Sequence, residues 1–301
     1  MHENQTICLA GIAPISRYTH CAGYEIHYMD WLPQGQPVAT VIAWHGLART
    51  GRDMDALAQV LVGQGYRVIC PDTLGRGLSQ WSKNSREEYQ LRFYARLARE
   101  FMDALQLDKV HWVGTSMGGA IGTVCASGLF EPALKERILT LTLNDNAPEL
   151  AQSALERIKS YAGTPPVFDT VTELEAFFRS AYKPYGWLSE TEWRKLTETS
   201  VRRTDAGRIT PHYDPRMIEQ FTMHDNDYLI WPHYDALDVP VLLLRGVESD
   251  LVLKEVAEKM MTRGPGAKGL LTWLEIEGCG HAPALNVELH FGAVLRCLKK
   301  V

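Results

Sequence analysis

The sequence predicts an α/β fold: a mostly parallel central sheet, helices on both faces, and a helical cap inserted late in the chain. Three observations predict it. Short apolar runs alternate with stretches of helical periodicity, the rhythm of a parallel sheet covered on both sides. The pentapeptide Gly114-Thr115-Ser116-Met117-Gly118 stands where a β-rich run, 109–113, gives way to a small apolar helix over 119–129. Residues 149–234 then carry helical stretches with no convincing buried strand, after which the alternation resumes.

The elements follow in order. Residues 24–29 read as an early strand and 38–44 as a buried one. A helix over 54–62 ends at Gly63 and Gly65. The strand 66–70 is closed by Pro71-Asp72, and 86–105 has the spacing of a long amphipathic helix. Residues 138–143 form another buried strand. Helical stretches over 150–161, 171–182 and 189–199 are punctuated by six prolines, from Pro165 to Pro232. The strands 239–244 and 271–276 and the helices 254–261 and 285–298 complete the chain. This division gives a core in two parts, 1–148 and 235–301, around a cap at 149–234. The cap holds 13 of the 28 aromatic residues, more than its share by length, so some should face an apolar pocket.

Composition narrows the class. A chain of 301 residues, 46% hydrophobic and 22% charged, is an ordinary globular protein able to bury a large core. The net charge of −5, with scattered Lys and Arg, argues against a nucleic-acid partner and against membrane association. No window approaches the ~18 apolar residues of a spanning helix. The first fourteen residues lack the basic leader and apolar stretch of a signal peptide. Six dispersed cysteines without CxxC spacing read as reduced core residues, and the expected compartment is the cytoplasm.

The Ser116 pentapeptide has a mechanical reading. A strand that turns abruptly into a helix exposes the central serine at the tip of a strained turn, the nucleophile elbow. Gly114 and Gly118 flank it because side chains there would collide. The helix N-terminus behind it favours developing negative charge. Gly75-Arg76-Gly77 is not a dinucleotide fingerprint, and no HExxH or clustered Cys/His spacing suggests a metal, so no cofactor is expected.

With these residues in place the chain resembles the α/β-hydrolase superfamily, as a cap-bearing serine-esterase-like member, over nearly its whole length. Asp72-Thr73-Leu74-Gly75-Arg76-Gly77-Leu78-Ser79 is similar to the family's D-x-x-G-x-G-x-S turn, which shapes the loop beside the nucleophile. The family order of serine, acid and histidine is matched by Ser116, Asp250 and His281. His281 follows the last strand in a Gly-flanked loop and would exchange the serine proton. Asp250, past the strand ending at Leu244, would fix the imidazole tautomer. Glu248 and Asp145 are rivals for that acid, since some relatives place it after the earlier strand. His45-Gly46-Leu47 resembles the family's HG motif, which implies an oxyanion hole from the backbone N–H groups of Leu47 and Met117. Core packing is the expected role of Trp44, and a structural one that of the His45 side chain.

The resemblance implies a cofactor-free serine hydrolase acting on a small or medium carboxylic ester. The same triad serves relatives that cleave thioesters, lactones or carbon–carbon bonds, and a ligand-binding receptor on a hydrolase scaffold is a further alternative. The expected partner in every case is a small molecule.

Overall fold

A computed structural model describes residues 12–301; the N-terminal stretch through Gly11, with Cys8, lies outside the described residues. The strands β1 (Ile15–Cys21), β2 (Tyr24–Trp31), β3 (Thr40–Trp44), β4 (Arg67–Pro71), β5 (Val110–Thr115) and β6 (Ile138–Asn144) come first. A short antiparallel ribbon, β7 (Val201–Arg203) and β8 (Ile209–Pro211), follows within the segment after β6. β9 (Val241–Gly246) and β10 (Leu271–Ile276) close the set. The main sheet has eight strands in the order β1-β2-β4-β3-β5-β6-β9-β10. It is parallel from β4 to β10, while β2 runs antiparallel to both β1 and β4.

Strand periodicity builds two cores. Side chains alternate across a sheet, so Ile42, Trp44, Trp112, Leu141, Leu143 and Leu243 enter one layer with the helices Leu91–Ala104, Met117–Ser127 and Lys254–Met261. Val41, Ala43, Val113, Leu242 and Leu244 enter the other with Asp55–Gly63 and Glu288–Leu298. Trp44 and Trp112 stack at 5.1 Å in the first layer, the core role expected for Trp44.

Two expectations need amendment and one strand went unforeseen. The helix expected over 86–105 is two pieces, Ser85–Glu88 and Leu91–Ala104. The break falls at buried Tyr89, whose hydroxyl donates to Asp214 at 2.7 Å, so a distant contact overrides local periodicity. β1 escaped notice because its exposed edge carries no apolar alternation. The ribbon β7–β8 escaped because each strand has three residues. The five described cysteines are all free and buried. No helix among the described residues is long and apolar enough to cross a membrane.

Candidate active site

β5 ends at Thr115 and the next helix begins at Met117, leaving Ser116 alone at the turn with φ 51° and ψ −116°. L-residues rarely adopt that conformation, and the packing around it allows little else. A Cβ on Gly114 would overlap the Gly118 backbone, and one on Gly118 would overlap the Trp44 carbonyl. The turn is pinned at both sides. The Ser116 N–H donates to the Asn144 carbonyl at 2.9 Å, and its own carbonyl accepts from Gly119 at 2.8 Å.

Three strand ends bring the polar groups together. The Ser116 hydroxyl lies 2.9 Å from His281 Nε2, in the loop after β10. His281 Nδ1 lies 2.6 Å from Asp145 Oδ2, one residue beyond β6. A buried carboxylate next to a ring nitrogen accepts, so Nδ1 carries the proton and Nε2 is free to take the serine's. Asp145 is fully buried and itself held. Its Oδ1 accepts from the Gly246 N–H at 3.0 Å and its Oδ2 from the Ser249 hydroxyl at 2.6 Å.

The expectation that Asp250 holds the imidazole is therefore corrected. The loop after β9 turns its middle residue, Ser249, inward, which sends its two neighbours outward. Asp250 is 57% exposed and pairs with Arg157 of the helix Gln152–Ala162. Glu248 is also exposed. The end of β9 and the loop after it contribute an N–H and a hydroxyl that hold Asp145, which stands just past β6 at the rival position.

The expected oxyanion donors lie beside the serine. Neither the Leu47 nor the Met117 N–H has a protein acceptor among the described residues, so both can receive an oxygen. Sequence reasoning missed their common support. Arg76, fully buried, donates from Nε to the Leu47 carbonyl at 2.9 Å, and its Nη2 lies 3.6 Å from the Met117 sulfur. The D-x-x-G-x-G-x-S turn that carries Arg76 was its only sequence signal. His45 is structural. Its Nδ1 donates to the Gly46 carbonyl at 2.6 Å, and its Nε2 accepts from the Thr73 N–H at 3.0 Å. Burial lowers its pKa to about 4, so the ring is neutral.

A cavity of about 310 Å³ opens onto Ser116 and His281. Its floor is the Gly46–Arg49 loop, and its roof includes Tyr161, Tyr182 and Tyr185 from the segment between β6 and β9. Arg49, buried at the edge of the floor, ties roof to floor. It pairs with Asp53 through Nε and Nη2 at 2.6 and 2.7 Å, bonds Ser200 at 2.9 Å and lies 4.6 Å from the Tyr182 ring. Among the described residues, no group of three or more His, Cys, Asp or Glu side chains is placed to hold a metal ion.

A family model of the alpha/beta hydrolase fold matches residues 39–286. A 3-hydroxybutyrate-oligomer hydrolase of Cupriavidus necator is 36% identical over 269 residues, covering 86% of this chain and 88% of that protein. An alpha/beta hydrolase from Novosphingobium aromaticivorans superposes with a TM-score of 0.81 at 30% identity, covering 97% of this chain and all of that one. A 2-hydroxy-6-oxononadienedioate/2-hydroxy-6-oxononatrienedioate hydrolase of Dechloromonas aromatica is 30% identical over 167 residues, about half of each chain. The chain belongs to the α/β-hydrolase family.

Proposed function

We propose that the chain is a serine hydrolase that cleaves a carboxylic ester through an acyl-enzyme on Ser116. The observation that carries this reading is the hydrogen-bonded line from Ser116 through His281 to buried Asp145. His281 Nε2 takes the hydroxyl proton as Ser116 Oγ attacks the ester carbonyl carbon. The carbonyl electrons move onto oxygen, which accepts from the N–H groups of Leu47 and Met117. Collapse breaks the bond to the alcohol oxygen, and His281 returns the proton to it. A water then repeats the sequence on the acyl-enzyme and releases the acid. Asp145 keeps the proton on Nδ1 and stabilises the imidazolium without becoming protonated.

The segment 149–234 acts as a cap over the core formed by 1–148 and 235–301. A roofed cavity of about 310 Å³ suits a small or medium ester. The resemblance to the Cupriavidus necator oligomer hydrolase favours an oligoester of a short hydroxy acid within that class. The Dechloromonas aromatica relative supports a second reading, carbon–carbon bond hydrolysis with the same triad. A reducing, cytoplasmic setting is consistent with five described cysteines, all unpaired.

The test is turnover by purified protein of a panel of p-nitrophenyl esters, 3-hydroxybutyrate oligomers and vinylogous 1,5-diketones. Ester turnover that Ser116→Ala abolishes is expected. Turnover of the diketones alone would transfer the assignment to carbon–carbon chemistry.

A further inference from the structure

The roof over Ser116 is more polar than an alkyl ester requires. Tyr161, Tyr182 and Tyr185 line the cavity, and none of their hydroxyls has a protein hydrogen-bond partner among the described residues. Elsewhere, among the described residues, buried Tyr89, Tyr228 and Tyr234 each donate to a protein oxygen, while buried Tyr28, Tyr66 and Tyr213 do not. Phenol hydroxyls in a protein interior ordinarily find an acceptor. The half-buried Tyr182 and Tyr185 are absent from the sealed, unpartnered polar groups, so their hydroxyls remain reachable. Their rings stack at 4.9 Å, so the two phenols stand together in the cavity wall.

Charge and shape narrow the acceptor. Among the described residues both cations that line the cavity, Arg49 and Arg157, are paired, with Asp53 and Asp250, and Glu248 adds a further negative charge, so no excess positive charge waits for a carboxylate. Two neutral O–H donors instead match carbonyl or ester oxygens. Tyr185 also lines a second cavity of about 290 Å³, whose wall shares Thr115 and Ala282 with the first. A substrate that extends past the scissile ester therefore runs along Tyr185.

We propose that Tyr182 and Tyr185 are specificity residues whose hydroxyls donate to the oxygens of a second ester group next to the scissile one. The site then selects oxygen-rich oligoesters over alkyl esters of equal length. This rests on the ester-hydrolase reading above.

The experiment compares p-nitrophenyl 3-acetoxybutyrate with p-nitrophenyl 3,5-dimethylhexanoate, which has the same heavy-atom skeleton without the second ester's oxygens. The readout is p-nitrophenol release by the full chain. Wild-type protein should show the higher kcat/KM on the acetoxy ester. Tyr182→Phe and Tyr185→Phe should each lower that preference about threefold to tenfold, the scale of one neutral hydrogen bond. Release from both esters with no preference, or with a preference that both variants keep, would overturn the inference and leave the ester reading standing. No release from either ester by wild-type protein would overturn both.

Discussion

Replacing Asp145 with Asn separates the two candidate acids by a large margin. In the wild-type site the carboxylate accepts from His281 Nδ1 at 2.6 Å, from Ser249 at 2.6 Å and from Gly246 at 3.0 Å. Asparagine can still accept from Gly246 through its carbonyl. Its amide then faces Ser249, which can turn its hydroxyl to accept, and His281 Nδ1, which must also accept. The imidazole proton is driven to Nε2, and that nitrogen can no longer take the Ser116 proton. A tautomer error of this kind lowers kcat by about 10³–10⁴, or about 4–5 kcal/mol of barrier. Asp250→Asn removes only an exposed pair with Arg157, an interaction of about 0–1 kcal/mol, so kcat should fall less than about fivefold. The assay is steady-state hydrolysis of p-nitrophenyl butyrate, with a thermal melt to show that both variants fold. A larger loss in Asp250→Asn than in Asp145→Asn would refute the reasoning.

Further consequences follow from other parts of the molecule. A second hydrogen-bonded line runs from Ser16 through His27 to Asp72, at 2.9 and 2.7 Å, but Ser16 lies within the paired strand β1 and not on an elbow. A fluorophosphonate should therefore label Ser116 and spare Ser16, and a Ser16 adduct in a peptide map would show that the elbow is not the deciding feature. Arg76→Met leaves the Leu47 and Leu74 carbonyls without their donor. It should lower kcat about tenfold or more, short of the 10²–10³ seen when an oxyanion donor is removed outright, and should also lower Tm. His45, held at about 4 by burial, binds fewer protons folded than unfolded between that value and the ordinary ~6.5. Stability from the neutral ring is thus complete above ~6.5 and lost as pH falls toward 4, by about 3 kcal/mol at most. Unfolding free energies from pH 7 to 4.5 should fall more steeply in wild-type protein than in His45→Asn, and parallel curves would refute this.

Much of the site was legible because it rests on local constraints. Ser116 is flanked by glycines that backbone contacts demand, and a strand and a helix adjoin it in sequence. His281 follows the last strand in a glycine-rich loop that the periodicity locates. The acid was less legible, because Asp145 and Asp250 both follow a β-strand by a few residues. Their difference lies in which way one loop turns, and Ser249 settles it by pointing inward to Asp145. Arg76 was invisible as a support because its partners, Leu47 and Met117, are far away in sequence and meet it only when three loops pack. The polar roof was equally hidden. The break in the strand–helix alternation set residues 149–234 apart and their aromatic content hinted at a pocket, but composition does not tell which hydroxyls lack partners.

Acid quenching during turnover of p-nitrophenyl butyrate, followed by peptide mapping, tests the central claim most directly. The account predicts one butyryl group per chain, on Ser116 and on no other residue, and its accumulation should vanish in Ser116→Ala. A butyryl group on another side chain, or turnover of the ester kept at the wild-type rate by Ser116→Ala, would contradict it.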